Sequence, residues 1–275
     1  MSGISIHLDG VVVTGGLVIR KDNRLNAGSL VLLAPEHSTY GITSTANGAT
    51  IPNVAMTEAK INLGLANEST VNAFSIVNTL TSGSGFVEIT PKKGIHVVKS
   101  QVNDISGSVF RINIPTPIAD YIFDNIANGF FVSTWYKNTR LSTSSSTADL
   151  LLNVNTTSNL ILAQQRGSFL PAGLTNKLDP TNALGAYRAN AFINAKTGSP
   201  TKSSGQFYKV GSAGAFSEIN TGPSKVLYML YIEDLSKSGR TYAEANAADL
   251  ALFNTYFGTG GKFNGDTNTS PSTLP

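Results

Sequence analysis

The acidic residues are the first place to look for catalysis in this chain of 275 residues. Hydrolysis of a glycosidic bond needs two carboxyl groups held about 5–10 Å apart. Glu233 and Asp234 are adjacent, and neighbouring side chains of a β-strand point to opposite faces of the sheet. The remaining acids that we considered are isolated in the sequence, and they are Asp149, Asp179, Glu218 and Asp266. The pattern does not predict a hydrolase or lyase, and we expect no enzymatic activity.

The sequence also gives little indication of a histidine-based catalytic triad or of a metal site. A Ser-His-Asp triad would use His7, His37 or His96, but no G-x-S-x-G nucleophile elbow lies between a strand and a helix. The absence of cysteine excludes disulfides and cysteine-based zinc sites. Calcium would need oxygen ligands, yet no D-x-D-x-D-G loop occurs, and loop capping is the favoured role of Asp104, Asp120, Asp124 and Asp179. We therefore predict no metal and no cofactor.

Glycan binding is the remaining site chemistry that the residues suggest. Sugar sites combine aromatic faces for stacking with amide and charged groups for the hydroxyls. Such groups occur together at the end of one apolar run, and they are Trp135, Tyr136, Asn138 and Arg140. A tryptophan within an apolar strand is more often a core residue than a ligand platform, and the same caution applies to Tyr187, Phe207 and Tyr208. Both interpretations of the four residues stay open.

The composition limits the partners that the chain can recognise. Charged residues make up 13% of the chain, against about 25% in a typical globular protein. The net charge is +3, and the lysines and arginines are scattered, with Lys92, Lys93 and Lys99 as the densest cluster. A nucleic-acid interface needs a stripe of basic groups, and a membrane span needs about 18 consecutive apolar residues. We predict neither nucleic-acid nor membrane binding.

Short apolar runs separated by turn signals dominate the chain. Residues 67–258 contain many such runs, which are typical of a β-sandwich. Residues 1–66 differ: short strands are predicted around 4–8, 11–13, 17–20 and 29–34, followed by a polar, turn-rich stretch at 36–66. We interpret 1–66 as strands and an extended arm for anchoring or assembly, packed either on another chain or on the main domain. A small β subdomain that stands alone is the alternative for 1–35.

One helix is predicted, over residues 242–257. Thr241 and Glu244 have the spacing of a capping box, and apolar residues follow at intervals of three and four. Gly258 is expected to be a left-handed C-cap. Residues 259–275 are rich in Gly, Asn, Thr and Ser, which predicts a flexible tail.

Two segments resemble the concanavalin A-like (laminin-G-like) jelly-roll sandwiches. The run from Phe130 to Lys137 is similar to the central F-x-x-S-x-W-x-K strand of that superfamily. The run from Leu230 to Leu235, with Ala251 to Phe253 in the following helix, is similar to its closing strand and helix. The resemblance implies a mainly β fold: a jelly-roll β-sandwich with one C-terminal helix, plus an N-terminal β and extended-arm region.

The segment from Tyr231 to Ala243 resembles C-terminal segments of tailed-bacteriophage structural proteins of this fold, and Gly48 to Ala55 resembles a segment upstream in the same proteins. This implies a non-enzymatic structural component of a phage particle. Its expected partners are copies of itself and other virion proteins. The absence of a signal-peptide pattern leads us to expect synthesis in the host cytoplasm and a final location in the virion. The alternative function is a lectin-like adhesin module for host glycans, and a polysaccharide-degrading enzyme is less favoured.

Overall fold

A computed structural model describes residues 22–102, 109–141, 143, 148–155, 160–165, 183–195, 202–210 and 223–275. The segments 148–155, 160–165 and 202–210 are described as backbone strands. The strands predicted within residues 4–20 lie outside the described residues, as do His7, Asp104, Asp179 and Glu218. The side chains of Asp149, Phe207 and Tyr208 lie outside them too.

The described elements are mostly strands. The strands are β1 (Ser29–Leu33), β2 (Thr50–Pro52), β3 (Ala73–Asn78), β4 (Gly85–Ile89), β5 (Ile95–Lys99), β6 (Phe110–Asn113), β7 (Phe130–Arg140), β8 (Ala148–Asn155), β9 (Leu160–Gln165), β10 (Gly185–Ile193), β11 (Lys202–Val210) and β12 (Ser224–Asp234). The α-helices are α1 (Met56–Leu63), α2 (Thr116–Asp124), α3 (Leu235–Ser238) and α4 (Tyr242–Phe257).

The strands form two antiparallel sheets that face each other. The first sheet has the order β10-β7-β12-β5-β4, and β1 pairs with the C-terminal half of β12, beside β5. The second sheet has the order β2-β3-β6-β11-β8-β9. This arrangement confirms the predicted mainly β class and its jelly-roll sandwich architecture.

The centre of the first sheet is the β7–β12 pair, which is apolar on both faces. One face packs against the second sheet and α2 in an inner core that includes Phe130, Val132, Leu227 and Leu230. The other face packs beneath α4 in an outer core that includes Phe131, Trp135, Tyr228, Met229 and Phe263. Aromatic and β-branched residues favour strands that are buried on both sides, and every residue of β12 is buried.

The helix α4 has the predicted limits and the predicted capping box between Thr241 and Glu244. Gly258 is not in the left-handed conformation expected of it, since its φ is −67°. The expectation of a single helix was wrong, because α1 and α2 precede α4. Both are short, at 8 and 9 residues, so each offers only about two turns of helical periodicity in the sequence.

The stretch predicted as an arm, residues 36–66, folds onto its own chain. It contains β2 and α1, and Ile51 and Ala59 are fully buried in the inner core. The side chain of Asn53 fixes this stretch: its amide donates to the carbonyls of Leu30 (3.0 Å) and Val71 (3.1 Å), and its oxygen accepts the N–H of Leu32 at 3.0 Å. One buried amide thereby satisfies three backbone groups on two other segments, β1 and the segment just before β3, which the polar sequence of this stretch does not reveal.

Residues 259–275 are not the flexible tail that their composition suggested. We call them the C-terminal strap, because they cross the outer face of the first sheet. Phe263 and Asp266 are buried, and so is Leu274 near the end of the chain. The carboxylate of Asp266 accepts hydrogen bonds from the hydroxyls of Thr90 (2.6 Å) and Tyr228 (2.9 Å) and from the backbone N–H of Lys92 (3.0 Å).

Replacing Asp266 by Ala should therefore destabilise the whole sandwich. The change leaves two buried hydroxyls and one N–H without an acceptor, and we expect the free energy of unfolding to fall by about 2–4 kcal/mol. Urea unfolding measures the difference. Thr273→Ala is the matched control on the same strap, since the Thr273 hydroxyl is exposed and bonds only the carbonyl of Ser270. Equal stabilities of the two variants would contradict this role of Asp266.

Candidate functional site

The four residues predicted as a glycan site lie on β7, but they do not share a surface. Neighbouring residues on a strand face opposite sides of the sheet. Trp135 accordingly lies in the outer core and Tyr136 in the inner core. Arg140 contacts the C-terminal strap.

Trp135 is a core residue. Its exposed fraction is 0%. The centre of its ring lies 5.3 Å from the centre of the Tyr256 ring and 5.8 Å from that of the Phe253 ring. The indole N–H donates to a carboxylate oxygen of Asp249 at 3.1 Å. No face of the indole remains on which a sugar could stack, and Trp135 lies in the outer core.

Tyr136 and Asn138 lie together inside the sandwich with a buried lysine. The Nζ of Lys225 donates to Oδ1 of Asn138 at 2.7 Å and lies 4.3 Å from the centre of the Tyr136 ring. The amide nitrogen of Asn138 donates to the carbonyl of Ala183 at 3.0 Å. Tyr187 is half-buried, with its ring 5.9 Å from that of Tyr136. This is an enclosed polar cluster rather than a sugar-binding platform.

Arg140 anchors the end of the chain. Its guanidinium donates to the carbonyls of Leu274 (2.7 Å) and Pro271 (3.2 Å), and it also contacts the carbonyl of Lys99. Partial burial lowers the pKa of Arg140. Arg140 therefore binds the C-terminal strap, and the predicted group of four residues separates into three different structural roles.

Glu233 and Asp234 point to opposite faces of β12, as their adjacency predicted. Glu233 is fully buried and pairs with Arg240, whose Nε donates to it at 2.9 Å. Asp234 caps α3 through the N–H of Ser236 (2.9 Å) and accepts the hydroxyl of Tyr121 (2.8 Å) on the other side of the sheet. Neither carboxylate is available as one half of a catalytic pair.

Asp249 is a buried carboxylate on α4, at a position where the helical pattern alone would place an apolar residue. It accepts the hydroxyl of Ser133 at 2.8 Å and the guanidinium of Arg188 at 2.9 Å, in addition to the indole N–H. Burial raises the pKa of Asp249, although these donors favour its charged form. Asp249 thus joins α4 to β7 and β10.

Metal ligation finds no support in the part of the chain that the structure describes. No cluster of three or more His, Asp or Glu side chains there is placed to hold an ion. Asp120 and Asp124 lie on α2, where Asp124 is exposed.

A chain of hydrogen bonds around His96 was missed from the sequence. His96 is fully buried; its Nδ1 lies 2.7 Å from the carboxylate of Glu88, and its Nε2 lies 2.9 Å from the hydroxyl of Thr139. Glu88 also accepts the N–H and the hydroxyl of Thr269, each at 2.7 Å. Glu88 and His96 are direct partners across the β4–β5 hairpin. An acid and a histidine on two consecutive predicted strands were the sequence signal that could have indicated this contact.

The order hydroxyl, imidazole, carboxylate is also that of a hydrolytic triad. Here the imidazole is enclosed, and the carboxylate is occupied by Thr269 of the strap. Burial lowers the pKa of His96 despite its carboxylate partner. Partial burial opposes ionisation of Glu88, but hydrogen bonds from Thr269 and His96 hold its pKa below the usual value. The arrangement therefore anchors the strap rather than presenting a nucleophile.

A small cavity lies between residues 23–26, the outer face of the first sheet and α4. Its volume is about 90 Å³, and its lining includes Arg24, Phe131, Arg240 and Leu252. Ligand pockets usually measure about 300–1,000 Å³, so this space is too small for a typical ligand. Its arginines are already paired, Arg24 with Asp22 at 2.7 Å and Arg240 with Glu233.

No protein-family model and no curated protein matches the chain. Among solved structures, it is similar to Trypanosoma rangeli sialidase, with 10% sequence identity and a TM-score of 0.38 over 83% of this chain and 33% of the sialidase. The same sialidase in complex with the inhibitor DANA matches with 10% identity and a TM-score of 0.36, over 81% and 32%. The chain thus spans about a third of the sialidase's length.

The K3 cleaved adhesin domain of Lys-gingipain from Porphyromonas gingivalis W83 matches with 11% identity and a TM-score of 0.28, over 58% of this chain and 91% of that domain. We transfer no function from these structures. Across the described residues, no helix combines the length and apolarity needed to cross a membrane.

The single tryptophan of the chain allows a direct test of its burial. We expect blue-shifted emission from Trp135 that acrylamide quenches weakly, because the ring is enclosed by Phe253 and Tyr256. Addition of glycans at millimolar concentration should leave the emission unchanged. Efficient quenching in the folded state, or a spectral shift caused by a glycan, would contradict the placement of Trp135.

The His96 site predicts acid sensitivity. A histidine in the unfolded chain binds a proton near pH 6.5. In the folded chain the pKa of His96 is lowered, so His96 binds its proton only at a lower pH. Protons therefore favour the unfolded chain, and stability should fall as the pH drops below 6.5, by up to about 1.4 kcal/mol per pH unit. The pKa of Glu88 is also lowered in the folded chain, so stability should fall further as the pH drops below 4.5.

The variant His96→Gln should reduce the slope of stability against pH in the upper window, just below 6.5. Urea midpoints measured across the two windows provide the readout. Thr273→Ala is again the control and should keep the wild-type slope. Identical slopes for His96→Gln and wild type would rule out His96 as the titrating group. Lys137 and Asp266 also act on this histidine, so both are left intact.

Proposed function

We propose that the chain is a non-enzymatic structural component of a tailed-phage particle, which assembles with copies of itself and with other virion proteins. The main observation in favour of this proposal is that four buried carboxylates are hydrogen-bonded within the chain. Glu233, Asp234, Asp249 and Asp266 each accept several hydrogen bonds from the chain's own donors. A general acid, a nucleophile or a sugar-binding carboxylate must be accessible to substrate, and these four are used for structure.

The assignment to a phage particle rests on sequence resemblance. The residues that carry it are at Tyr231 to Ala243 and at Gly48 to Ala55. In the structure, the first segment includes the end of β12, the helix α3 and the start of α4, and the second includes β2. Low charge and a surface rich in hydroxyls and amides suit close packing between neighbouring subunits better than ionic recognition.

The mode of assembly differs from anchoring by free arms. Residues 36–66 and the C-terminal strap are folded onto their own sandwich, so contacts between subunits would form at a sheet edge. The strand β10 ends the described order of the first sheet. It is 9 residues long, and Leu184 immediately before it is 62% exposed. An edge strand can pair with a neighbouring chain, whereas β2 at the edge of the other sheet has only 3 residues and ends in Pro52.

The purified chain should accordingly self-associate, and a charge beside the β10 edge should oppose this. We expect Leu184→Lys to weaken self-association by about tenfold, equivalent to about 1.4 kcal/mol. Analytical ultracentrifugation over a wide concentration range measures the effect. Leu250→Lys is the matched control, because Leu250 is an exposed apolar residue on α4, and it should associate like wild type. A chain that stays monomeric at every concentration would contradict assembly through this edge.

The particle itself provides the second readout. An antibody raised against the purified chain should label phage particles from the same source at regular positions. Absence of the chain from purified particles would overturn the virion role, even if the chain self-associates. A specific hit on a glycan array would instead favour the adhesin alternative.

A further inference from the structure

Lys225 and Asn138 face each other inside the sandwich. They are direct partners in the register of the antiparallel strands β12 and β7, so both side chains leave the sheet on the same face. Lys225 is 0% exposed and Asn138 is 4% exposed. The amine nitrogen lies 2.7 Å from Oδ1 of the asparagine, which places it next to the carbonyl carbon of the side-chain amide.

The surroundings favour chemistry between these two groups. The pair is shielded from solvent, and an amine attacks a carbonyl carbon in its neutral form, which burial away from water favours for a lysine in general. The Tyr136 ring covers the amine at 4.3 Å, and the core contains apolar residues of both sheets. The carbonyl of Ala183 holds the amide nitrogen at 3.0 Å and so fixes the orientation of the amide. Reacting groups held in one geometry gain the rate advantage of an intramolecular reaction.

We propose that Lys225 and Asn138 join in an intramolecular isopeptide bond. The lone pair of Lys225 Nζ attacks Cγ of Asn138, and a C–N bond forms. The bond from Cγ to Nδ2 then breaks, and a proton from Nζ passes to the departing nitrogen, which leaves as ammonia. The amine and the primary amide become one secondary amide and one ammonia, so the step balances without an oxidant, a reductant or any other reactant.

The bond would fasten the two central strands of the first sheet permanently. A covalent cross-link between residues far apart in the sequence restricts the unfolded chain and so favours the folded one. This chain has no cysteine, so a disulfide cannot supply that restraint. Formation of this bond depends only on the residue pair and does not require a role in a phage particle.

Intact-mass spectrometry of the purified chain under denaturing conditions is the first test. We expect the mass to be lower than that calculated from the sequence by one ammonia, after allowance for the initiator methionine. We also expect trypsin to fail at Lys225. The digest should then contain residues 138–140 attached to a fragment that spans residues 210–237.

Three variants make the test specific. Lys225→Met and Asn138→Ala should each restore the full calculated mass, and this readout does not depend on whether the variant folds. Lys237→Met is the matched control, because it removes a lysine on α3 and should keep the deficit of one ammonia. A wild-type chain that keeps its full mass after prolonged incubation in the folded state, with complete tryptic cleavage at Lys225, would overturn the proposal.

Discussion

Both faces of the β7–β12 pair are apolar, and neither can be left in water. Burial of apolar surface is the main favourable term in folding, so each face needs a cover. The second sheet and α2 cover the inner face, as in any two-layer sandwich. Among the described residues, no third sheet lies on the outer face, and α4 together with the C-terminal strap covers it. The C-terminal part of the chain is therefore a structural layer rather than an appendage.

Polar residues hold this outer layer in place. Asp249 joins α4 to the sheet, Asp266 joins the strap to the β4–β5 turn and to Tyr228, and Glu88 binds Thr269. Each carboxylate accepts several donors, and hydrogen bonds to a buried charged group contribute more than neutral ones. Charged residues make up only 13% of the chain, and the three carboxylates named here hold α4 and the strap against the sheet. This use of the acids is the physical reason for proposing a structural rather than a catalytic role.

The sequence predicted what local patterns specify. The sandwich was predicted from apolar runs such as those of β7 and β12. The helix α4 was predicted from the capping box of Thr241 and Glu244. Side chains alternate between the two faces of a strand, which separates Glu233 from Asp234 and equally separates Trp135 from Tyr136. The sequence alone therefore indicated that Trp135 and Tyr136 could not belong to one glycan site. The roles of Asn53 and Asp266 were not predictable, because their partners lie far away in the sequence and polar composition alone suggests a loop or a tail.

The central claim is that the C-terminal strap is a folded layer on the outer face of the first sheet, and hydrogen exchange at its backbone amides tests it most directly. The N–H groups of Phe263 and Thr269 donate to Tyr256 and Glu88. We therefore expect both to exchange at least about a hundredfold more slowly than in an unstructured peptide, as in a cooperatively folded unit. Exchange at the rate of an unstructured peptide throughout residues 259–275 would contradict the account.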